Sequence, residues 1–256
     1  MAEALLAALI EKGAAQAGEI LASDIDAGRL SDLHQRYGIR TTGRNAEAFA
    51  HARVVFLAVK PQQVDEVLRD VAPCASAGHL LVSIAAGKRT AHLEALAPGL
   101  RVIRVMPNIA CLVGAGANAF ARGARATVDD ADLVRNLLSC CGQAIELPEN
   151  LFDAVTALSG SGPAFFALLL DGLVDGAVAE GLRREDALAL ARQTMLGTAR
   201  LLIDRNLTPA ELAAAVTSAK GTTAAGREVL ETDVLADILR RTIQAAARRS
   251  RELSQA

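Results

Sequence analysis

The sequence predicts a doubly wound α/β fold with a parallel sheet, followed by a second domain made only of helices. Short apolar and β-rich runs alternate with helical runs over residues 1–148, as in a parallel sheet covered by helices. After Pro148 the strand signal stops, and residues 149–256 contain helical patterns only. A chain of 256 residues is long enough for two such domains.

The strands of the first domain are predicted from short runs of apolar and β-branched residues. Val54–Val59 reads VVFLAV, a continuous apolar run that is typical of a strand buried on both faces. The predicted strands are Glu19–Ser23, Val54–Val59, Leu80–Ala85, Arg101–Met106, Asn118–Arg122 and Ala144–Leu147, and the predicted helices between them are Asp26–Tyr37, Pro61–Ala72 and Asp129–Cys141.

The helices of the second domain are predicted from their start signals. Ser159-Gly-Ser-Gly-Pro163 is a turn-rich start with Pro163 at the first helical position. Thr208 and Glu211 form a capping box, and Asp233 is expected to cap the last helix. The predicted helices include Phe165–Ala179, Arg184–Arg205, Thr223–Glu231 and Val234–Leu253.

The Phe165–Ala179 helix is apolar on nearly all sides, and such a helix must be buried. A small helical domain cannot easily bury it alone, so we expect a second subunit to cover it. The alternative is a monomer that packs this helix against its own helices. The apolar positions are Leu168, Leu169, Leu170, Leu173, Val174, Ala177 and Val178.

Composition argues against several classes of partner. The formal net charge of −2 gives no electrostatic reason to expect nucleic acid. Charged residues interrupt the long apolar runs and no signal segment opens the chain, so neither a membrane span nor secretion is predicted. The four histidines and Cys74, Cys111, Cys140 and Cys141 lack ligand spacing, so we predict no metal site. We expect reduced thiols and a cytoplasmic location.

Three turns follow successive predicted strands: Val59-Lys60-Pro61, Ser83–Gly87 and Met106-Pro107-Asn108. Ligands of open α/β sheets bind at the carboxyl ends of strands, so these turns predict a ligand site at one edge. The glycine-rich loop G-x-G-x-x-G is not found in its usual place. Gly114–Ala119 matches it loosely but precedes a strand, and Gly160-Ser-Gly162 lacks the third glycine.

Asp24 follows the first predicted strand, where the ribose of a dinucleotide would lie. An acidic side chain there accepts a hydrogen bond from a 2′-hydroxyl and repels a 2′-phosphate. The alternative is that Asp24 or Asp26 caps the next helix.

The segment Val216-Thr-Ser-Ala-Lys-Gly-Thr-Thr223 places small and hydroxyl residues just before a helix. Free N–H groups of Gly221, Thr222 and Thr223, aided by the helix dipole and Lys220, would form a carboxylate site. A plain threonine-capped helix start explains the same pattern equally well.

Together these motifs resemble the pyrroline-5-carboxylate reductases. The stretches SGSGPAFF (159–166), VTSAKGTTAAG (216–226), FLAVKP (56–61), VSIAAG (82–87) and RVMPN (104–108) occur in the order and spacing of that family, over essentially the whole chain. The resemblance implies a Rossmann-like domain, followed by a helical domain that interlocks with its partner in a homodimer, and such dimers often form larger rings. It also implies that NAD(P)H reduces the C=N carbon of 1-pyrroline-5-carboxylate to give L-proline, the last step of proline biosynthesis.

The resemblance also implies residue roles, by position. Ser218, Gly221, Thr222 and Thr223 would hold the substrate, with the Thr223 hydroxyl near the ring nitrogen as the catalytic group. A protonated imine is already an electrophile, so the protein has mainly to position the reactants. The residues that would line NADP or NAD are Asn45, Ala58, Lys60, Pro61, Ala85, Ala86 and Asn108.

The chain departs from the family pattern in three places. Its first residues read as the helix that follows a glycine-rich loop, so we expect a nucleotide domain without its first strand and with weaker cofactor binding. Ser218-Ala-Lys-Gly-Thr-Thr223 stands where the family usually reads S-P-G-G-T-T, and Ile109-Ala110 stands where it reads Thr-Pro.

Two alternative functions are left open. One is a dimeric family member that no longer catalyses. The other is a β-hydroxyacid dehydrogenase, which relies on a lysine within its helical domain. The lysines of this chain, Lys12, Lys60, Lys88 and Lys220, include none in the middle of a predicted helix of that domain.

Overall fold

The computed structural model describes residues 1–232 and 234–255, which form two compact units. The first unit contains Met1–Ser161 and the chain from Ala246 onward, and the second contains Gly162–Ala245. This division lies later than the predicted boundary at residue 148. The physical reason is that Phe152 is buried against Ala119 and Ala121, so the segment after residue 148 packs onto the sheet.

Strands and helices alternate along the first unit, and helices alone follow. They are α1 (Ala2–Glu11), β1 (Leu21–Ser23), α2 (Ala27–Tyr37), β2 (Arg40–Thr42), α3 (Asn45–His51), β3 (Val54–Leu57), α4 (Val64–Val71), β4 (Leu80–Ser83), α5 (Thr90–Leu96), β5 (Arg101–Met106), β6 (Gly116–Arg122), α6 (Val128–Ser139), β7 (Gly142–Glu146), α7 (Phe152–Val155), α8 (Gly162–Ala179), α9 (Arg184–Asp204), α10 (Pro209–Ala215), α11 (Thr222–Thr232) and α12 (Leu235–Gln255).

The main sheet has five strands in the order β3-β4-β5-β6-β7. β3, β4 and β5 are parallel, as predicted, whereas β6 runs antiparallel to β5 and β7 runs parallel to β6. The sheet is therefore mixed at the β5–β6 pair. Only residues 107–115 connect these two strands, and a parallel crossover needs about a dozen or more residues.

A second, two-stranded sheet is formed by β1 and β2. Among the described residues β1 pairs only with β2, and β3 pairs only with β4. β1 and β3 therefore share no neighbouring strand among the described residues. β2, α3 and α5 were not predicted, because none is longer than seven residues and so none shows a clear periodicity.

Helices cover both faces of the main sheet, as a doubly wound fold requires. Leu80 and Val82 of β4 face one core, together with residues of α1 and α6. Leu81 faces the opposite core, together with residues of α4 and α5. Successive side chains of a strand point to opposite faces, so the continuous apolar sequence of β4 is explained by burial on both sides.

A buried ion pair joins β5 to the segment after β7. The Arg104 guanidinium donates to Glu149 Oε1 at 3.0 Å and lies 4.8 Å from the centre of the Phe152 ring. The Glu149 carboxylate also accepts from the Thr90 amide and from the Thr90 hydroxyl, both at 2.8 Å. Since Arg104 is 5% exposed, Glu149 is the partner that makes its burial tolerable.

Several helix starts can be compared with their predictions. Thr208 and Glu211 form the predicted capping box, and Asp26 caps α2 by accepting from the Arg29 amide. Ser159 and Gly160, predicted to lie in a turn, belong to a π-helical turn, Thr156–Gly160, whereas Pro163 lies in the first turn of α8 as predicted. Asp233, predicted to cap the last helix, lies outside the described residues.

Most of the apolar surface of α8 is exposed within the single chain. Leu168 and Leu173 are 71% and 68% exposed, whereas Gly162 and Val174 are the buried residues of this helix. By length and composition alone, the helical stretch Glu149–Ala179 could cross a membrane, since it contains an 18-residue window with a mean hydropathy of 1.5. This corrects the prediction that no such stretch exists. An exposed apolar face of this kind is typical of an interaction surface.

Replacing Glu149 tests the buried ion pair. Glu149→Ala leaves the Arg104 charge unpaired in a buried position, so we expect it to lower the free energy of unfolding by about 3–5 kcal/mol. Glu252→Ala breaks an exposed pair with Arg249 and should cost at most about 1 kcal/mol. Urea titrations followed by circular dichroism measure both, and equal small losses would show that the pair contributes little.

Candidate cofactor and substrate sites

The parallel register of β3, β4 and β5 brings three predicted turns to one edge of the sheet. Leu57 pairs with Ser83, and Ser83 pairs with Arg104, so these strands end close together. The turns that follow these strands contain most of the predicted cofactor positions, namely Ala58, Lys60, Pro61, Ala85, Ala86 and Asn108. The structure therefore brings these six positions to the same edge.

The turn after β4 favours close approach to the backbone. The buried Ser83 hydroxyl accepts a hydrogen bond from the Ala85 amide at 3.4 Å, and Ala86 is exposed beside the buried Ala85. Gly87 has a φ of 76°, a left-handed conformation that residues with side chains rarely adopt. Small side chains at these positions leave room for a ligand next to the peptide groups.

The turn after β3 supplies a positive charge. Ala58 and Lys60 are exposed, and Pro61 begins a short 3₁₀ turn that leads into α4. Lys60 makes no ion pair with any described residue. Its ammonium group is therefore free to interact with an anionic ligand.

A charged cluster between α4 and α5 was missed by the sequence analysis. Asp65 Oδ1 accepts from His92 Nε2 at 2.9 Å and from Lys88 Nζ at 2.8 Å. The hydrogen bond from His92, followed by that from Lys88, lowers the pKa of Asp65 to about 2. Because Lys88 directly follows Gly87, the cluster ties the turn after β4 to the start of α4. No local pattern indicates it, since its members come from two separate segments.

The Asn108 side chain holds the end of β5 in place. Its Nδ2 donates to the Ser159 carbonyl at 3.2 Å, and its Oδ1 accepts from the Ala117 amide at 3.1 Å. In the same region, a Cβ atom at Gly160 would lie 2.8 Å from Met106 Cε, so the π-helical turn packs closely on the end of β5. The side chain of Asn108, predicted to line a cofactor, thus also has a structural role.

Asp24 and Asn45 both lie near the carboxyl end of β1. The Ser23 hydroxyl donates to Asn45 Oδ1 at 2.9 Å. Asp24 Oδ1 accepts from the Asp26 amide at 3.0 Å, while Asp26 itself caps α2. The capping alternative therefore applies to Asp26, and Asp24 shapes the loop before it.

In the second unit, the predicted substrate residues form a tight turn before α11. Lys220 has a left-handed φ of 60°, and the Gly221 amide donates to the Ser218 carbonyl at 3.0 Å. The prediction that the Gly221 N–H is free is therefore wrong, because this amide closes the turn. The amides of Thr222 and Thr223 have no acceptor among the described residues, as expected at the start of a helix.

An arginine not predicted from the sequence lies behind this turn. Arg227 Nη1 donates to the Thr217 hydroxyl at 3.3 Å, and its Nη2 donates to Glu231 at 2.8 Å. The Thr217 hydroxyl in turn donates to the Ala213 carbonyl at 2.6 Å. An open groove of about 380 Å³ follows this side of α11, lined by Thr217, Ala224, Arg227, Glu228, Glu231 and Thr232. Arg227 thus connects α11 to the end of α10.

The described residues contain no group of three or more histidine, cysteine or acidic side chains placed to hold a metal ion.

Two family models match the chain. The model described as pyrroline-5-carboxylate reductase dimerisation matches residues 149–253, and the model described as NADP oxidoreductase, coenzyme F420-dependent, matches residues 1–87. A pyrroline-5-carboxylate reductase of Methanosarcina acetivorans is 40% identical over 256 residues, which covers 100% of this chain and 95% of the relative.

Two solved structures of pyrroline carboxylate reductases are also similar to this chain. A pyrroline-5-carboxylate reductase from Coxiella burnetii superimposes with a TM-score of 0.95 at 30% identity, covering 100% of this chain and 95% of the other. A Plasmodium falciparum pyrroline carboxylate reductase with NADP bound gives a TM-score of 0.85 at 26% identity, with 98% and 94% coverage.

The pKa of Asp65 predicts a specific dependence of stability on pH. A carboxyl group whose pKa falls from 3.8 to about 2 on folding stabilises the protein above 3.8, and this contribution is lost as the pH falls towards 2. We expect Asp65→Asn to be less stable than the parent at pH 6 and to lose less stability on acidification. Urea midpoints at pH 6, 4 and 3 measure this, and parallel curves for the two proteins would contradict it.

Proposed function

The chain belongs to the pyrroline-5-carboxylate reductase family, and we propose that it is an oxidoreductase that converts 1-pyrroline-5-carboxylate to L-proline with NADP as its cofactor. The observation that carries this proposal is the 40% identity over the full chain. Because that similarity extends over both units, it includes the sheet edge and the start of α11.

The residues at the sheet edge fit a dinucleotide. Three strand ends lie in parallel register, the side chains of Ala58 and Ala86 are small, and the Lys60 cation suits an anionic ligand. When bound, the reduced cofactor supplies the hydride. The residues of this chain hold the cofactor in a fixed position relative to the substrate. The contacts of Asp65 and Asn108 keep the turns at the sheet edge rigid and so support this position.

The start of α11 is proposed as the substrate site. The unpaired amides of Thr222 and Thr223 and the positive end of the helix dipole suit the substrate carboxylate. We assign the Thr223 hydroxyl to accept a hydrogen bond from the protonated ring nitrogen, which keeps the imine charged and its carbon electrophilic. Ser218 and Gly221 act by holding the turn in which these groups stand.

A homodimer is proposed to cover the apolar face of α8. The dimerisation family model matches residues 149–253, which include this helix, and the exposed Leu168 and Leu173 supply the apolar area. Further association of such dimers into larger rings is consistent with this proposal. We also propose a cytoplasmic location, which fits four cysteines that are all free thiols and is tested by cell fractionation.

Thr223→Ala tests the proposed catalytic hydroxyl. Loss of one hydrogen bond to the reacting nitrogen should lower kcat/KM for 1-pyrroline-5-carboxylate by the equivalent of about 1–3 kcal/mol, with little effect on cofactor binding. Thr232→Ala, at the other end of the same helix, is the matched control and should leave the kinetics unchanged. Equal kinetics for the two variants would remove Thr223 from the mechanism.

Leu168→Glu tests the dimer. A charge in the centre of an apolar interface should dissociate the dimer at micromolar concentration, as measured by light scattering coupled to size exclusion. Ile25→Glu changes an apolar residue of the first unit that is even more exposed than Leu168 and should leave the dimer intact. A parent protein that is a folded monomer of 26.6 kDa under these conditions would refute the proposal.

A further inference from the structure

Two buried thiols of the first unit have no part in the proposed reaction. Cys111 is 2% exposed and lies in the helical turn Ile109–Val113 after β5. Cys141 is fully buried and directly precedes β7. Both are free thiols, and both belong to the apolar core that contains α1 and α6.

Asn118 of β6 connects the two thiols. Cys111 Sγ donates to Asn118 Oδ1 at 3.1 Å, and Asn118 Nδ2 donates to Cys141 Sγ at 3.7 Å. The interaction with the neighbouring Cys141 thiol lowers the pKa of Cys111, and the same interaction raises the pKa of Cys141. Cys111 is therefore the thiol that more readily forms the nucleophilic thiolate.

Gly116 shows how close the two cysteines are. A Cβ atom at Gly116 would lie 2.4 Å from Cys111 Sγ, 3.2 Å from Cys111 N and 2.8 Å from Cys141 O. Atoms of both cysteines therefore lie close to the same glycine. The Gly116 amide also donates to the Cys141 carbonyl at 2.8 Å, which holds the two segments together. These contacts, together with the Asn118 side chain that both thiols share, make Cys111 and Cys141 neighbours in the fold.

We propose that Cys111 and Cys141 are a reversible dithiol–disulfide pair that reacts with low-molecular-weight disulfides. The Cys111 thiolate attacks one sulfur of the oxidant, breaks its S–S bond and releases the first small thiol. Cys141 then attacks the Cys111 sulfur, forms the intramolecular bond and releases the second. The protein loses two electrons and two protons, and the oxidant takes up both.

Access to Cys111 runs through its own turn. Leu112 and Val113, the next two residues, are 63% and 80% exposed, so this turn can open without disrupting the sheet. The Cys111 amide donates to the Asn108 carbonyl at 3.1 Å. The proposed bond therefore forms next to the end of β5, where the cofactor edge begins.

The test uses the folded chain with the substitution Cys140→Ser. Because Cys140 and Cys141 are adjacent, this change leaves Cys141 as the single cysteine of its peptide, so a disulfide can be assigned to it. Cys140 is a suitable residue to remove because it is only partly buried and the one hydrogen bond of its thiol among the described residues goes to the Asn136 carbonyl. The reduced protein is equilibrated with mixtures of reduced and oxidised glutathione, remaining thiols are blocked by alkylation, and unreduced peptides are analysed by mass spectrometry. We expect a disulfide-linked pair of peptides that contain Cys111 and Cys141, two hydrogens lighter than the sum of the two reduced peptides. Dithiothreitol should convert this pair back to the two reduced peptides.

Four outcomes would overturn the proposal, three of them in the folded protein. Both thiols could stay reduced in oxidised glutathione alone, glutathione could remain attached to either cysteine, or the bond could form through Cys74. A sample unfolded in urea serves as the control for native packing. If it gives the Cys111–Cys141 bond in equal or higher yield, native packing does not bring the thiols together. This assay needs neither substrate nor cofactor, so its result is independent of the proposed enzyme activity.

Discussion

The register of three parallel strands is the constraint on which the rest of the first unit depends. Leu57, Ser83 and Arg104 are consecutive partners across β3, β4 and β5, and the three turns of the cofactor edge begin just beyond them. The strand β4 contributes Val82 to one core and Leu81 to the other. A shift by a single residue would exchange these faces, so the packing on both sides keeps the strand ends in place.

Polar contacts with neighbouring segments then stabilise the ends of β4 and β5 and the turns that follow them. Asp65 anchors the segment after β4 through Lys88, and Asn108 binds the π-helical turn through the Ser159 carbonyl. Glu149 supports β5 through Arg104. All three contacts are made by this chain's own residues, an arrangement that favours turns already positioned when a cofactor binds. Such preorganisation is what a reaction based on positioning demands.

The sequence predicts those features that are written in one continuous segment. The strand bounds Arg101–Met106 and the capping box at Thr208 were found because their signals are local. The antiparallel β5–β6 pair was missed because both directions use the same side-chain alternation, and only the length of the connection separates them. The cluster around Asp65 joins segments that are distant in sequence, so no local pattern predicts it. The hydrogen bond of the Gly221 amide depends on the backbone angles of Lys220, which the sequence does not reveal either.

The last helix has a consequence for synthesis of the protein. Ser250 Oγ donates to Asp153 Oδ1 at 2.7 Å, and the Leu253 carbonyl lies 3.6 Å from the position of a Cβ on Gly87. These residues belong to the first compact unit, although they come after the whole of the second. On the ribosome, the first unit therefore cannot complete its contacts until almost the entire chain has been translated. The usual order, in which an N-terminal domain finishes folding before its successor emerges, does not hold for this protein.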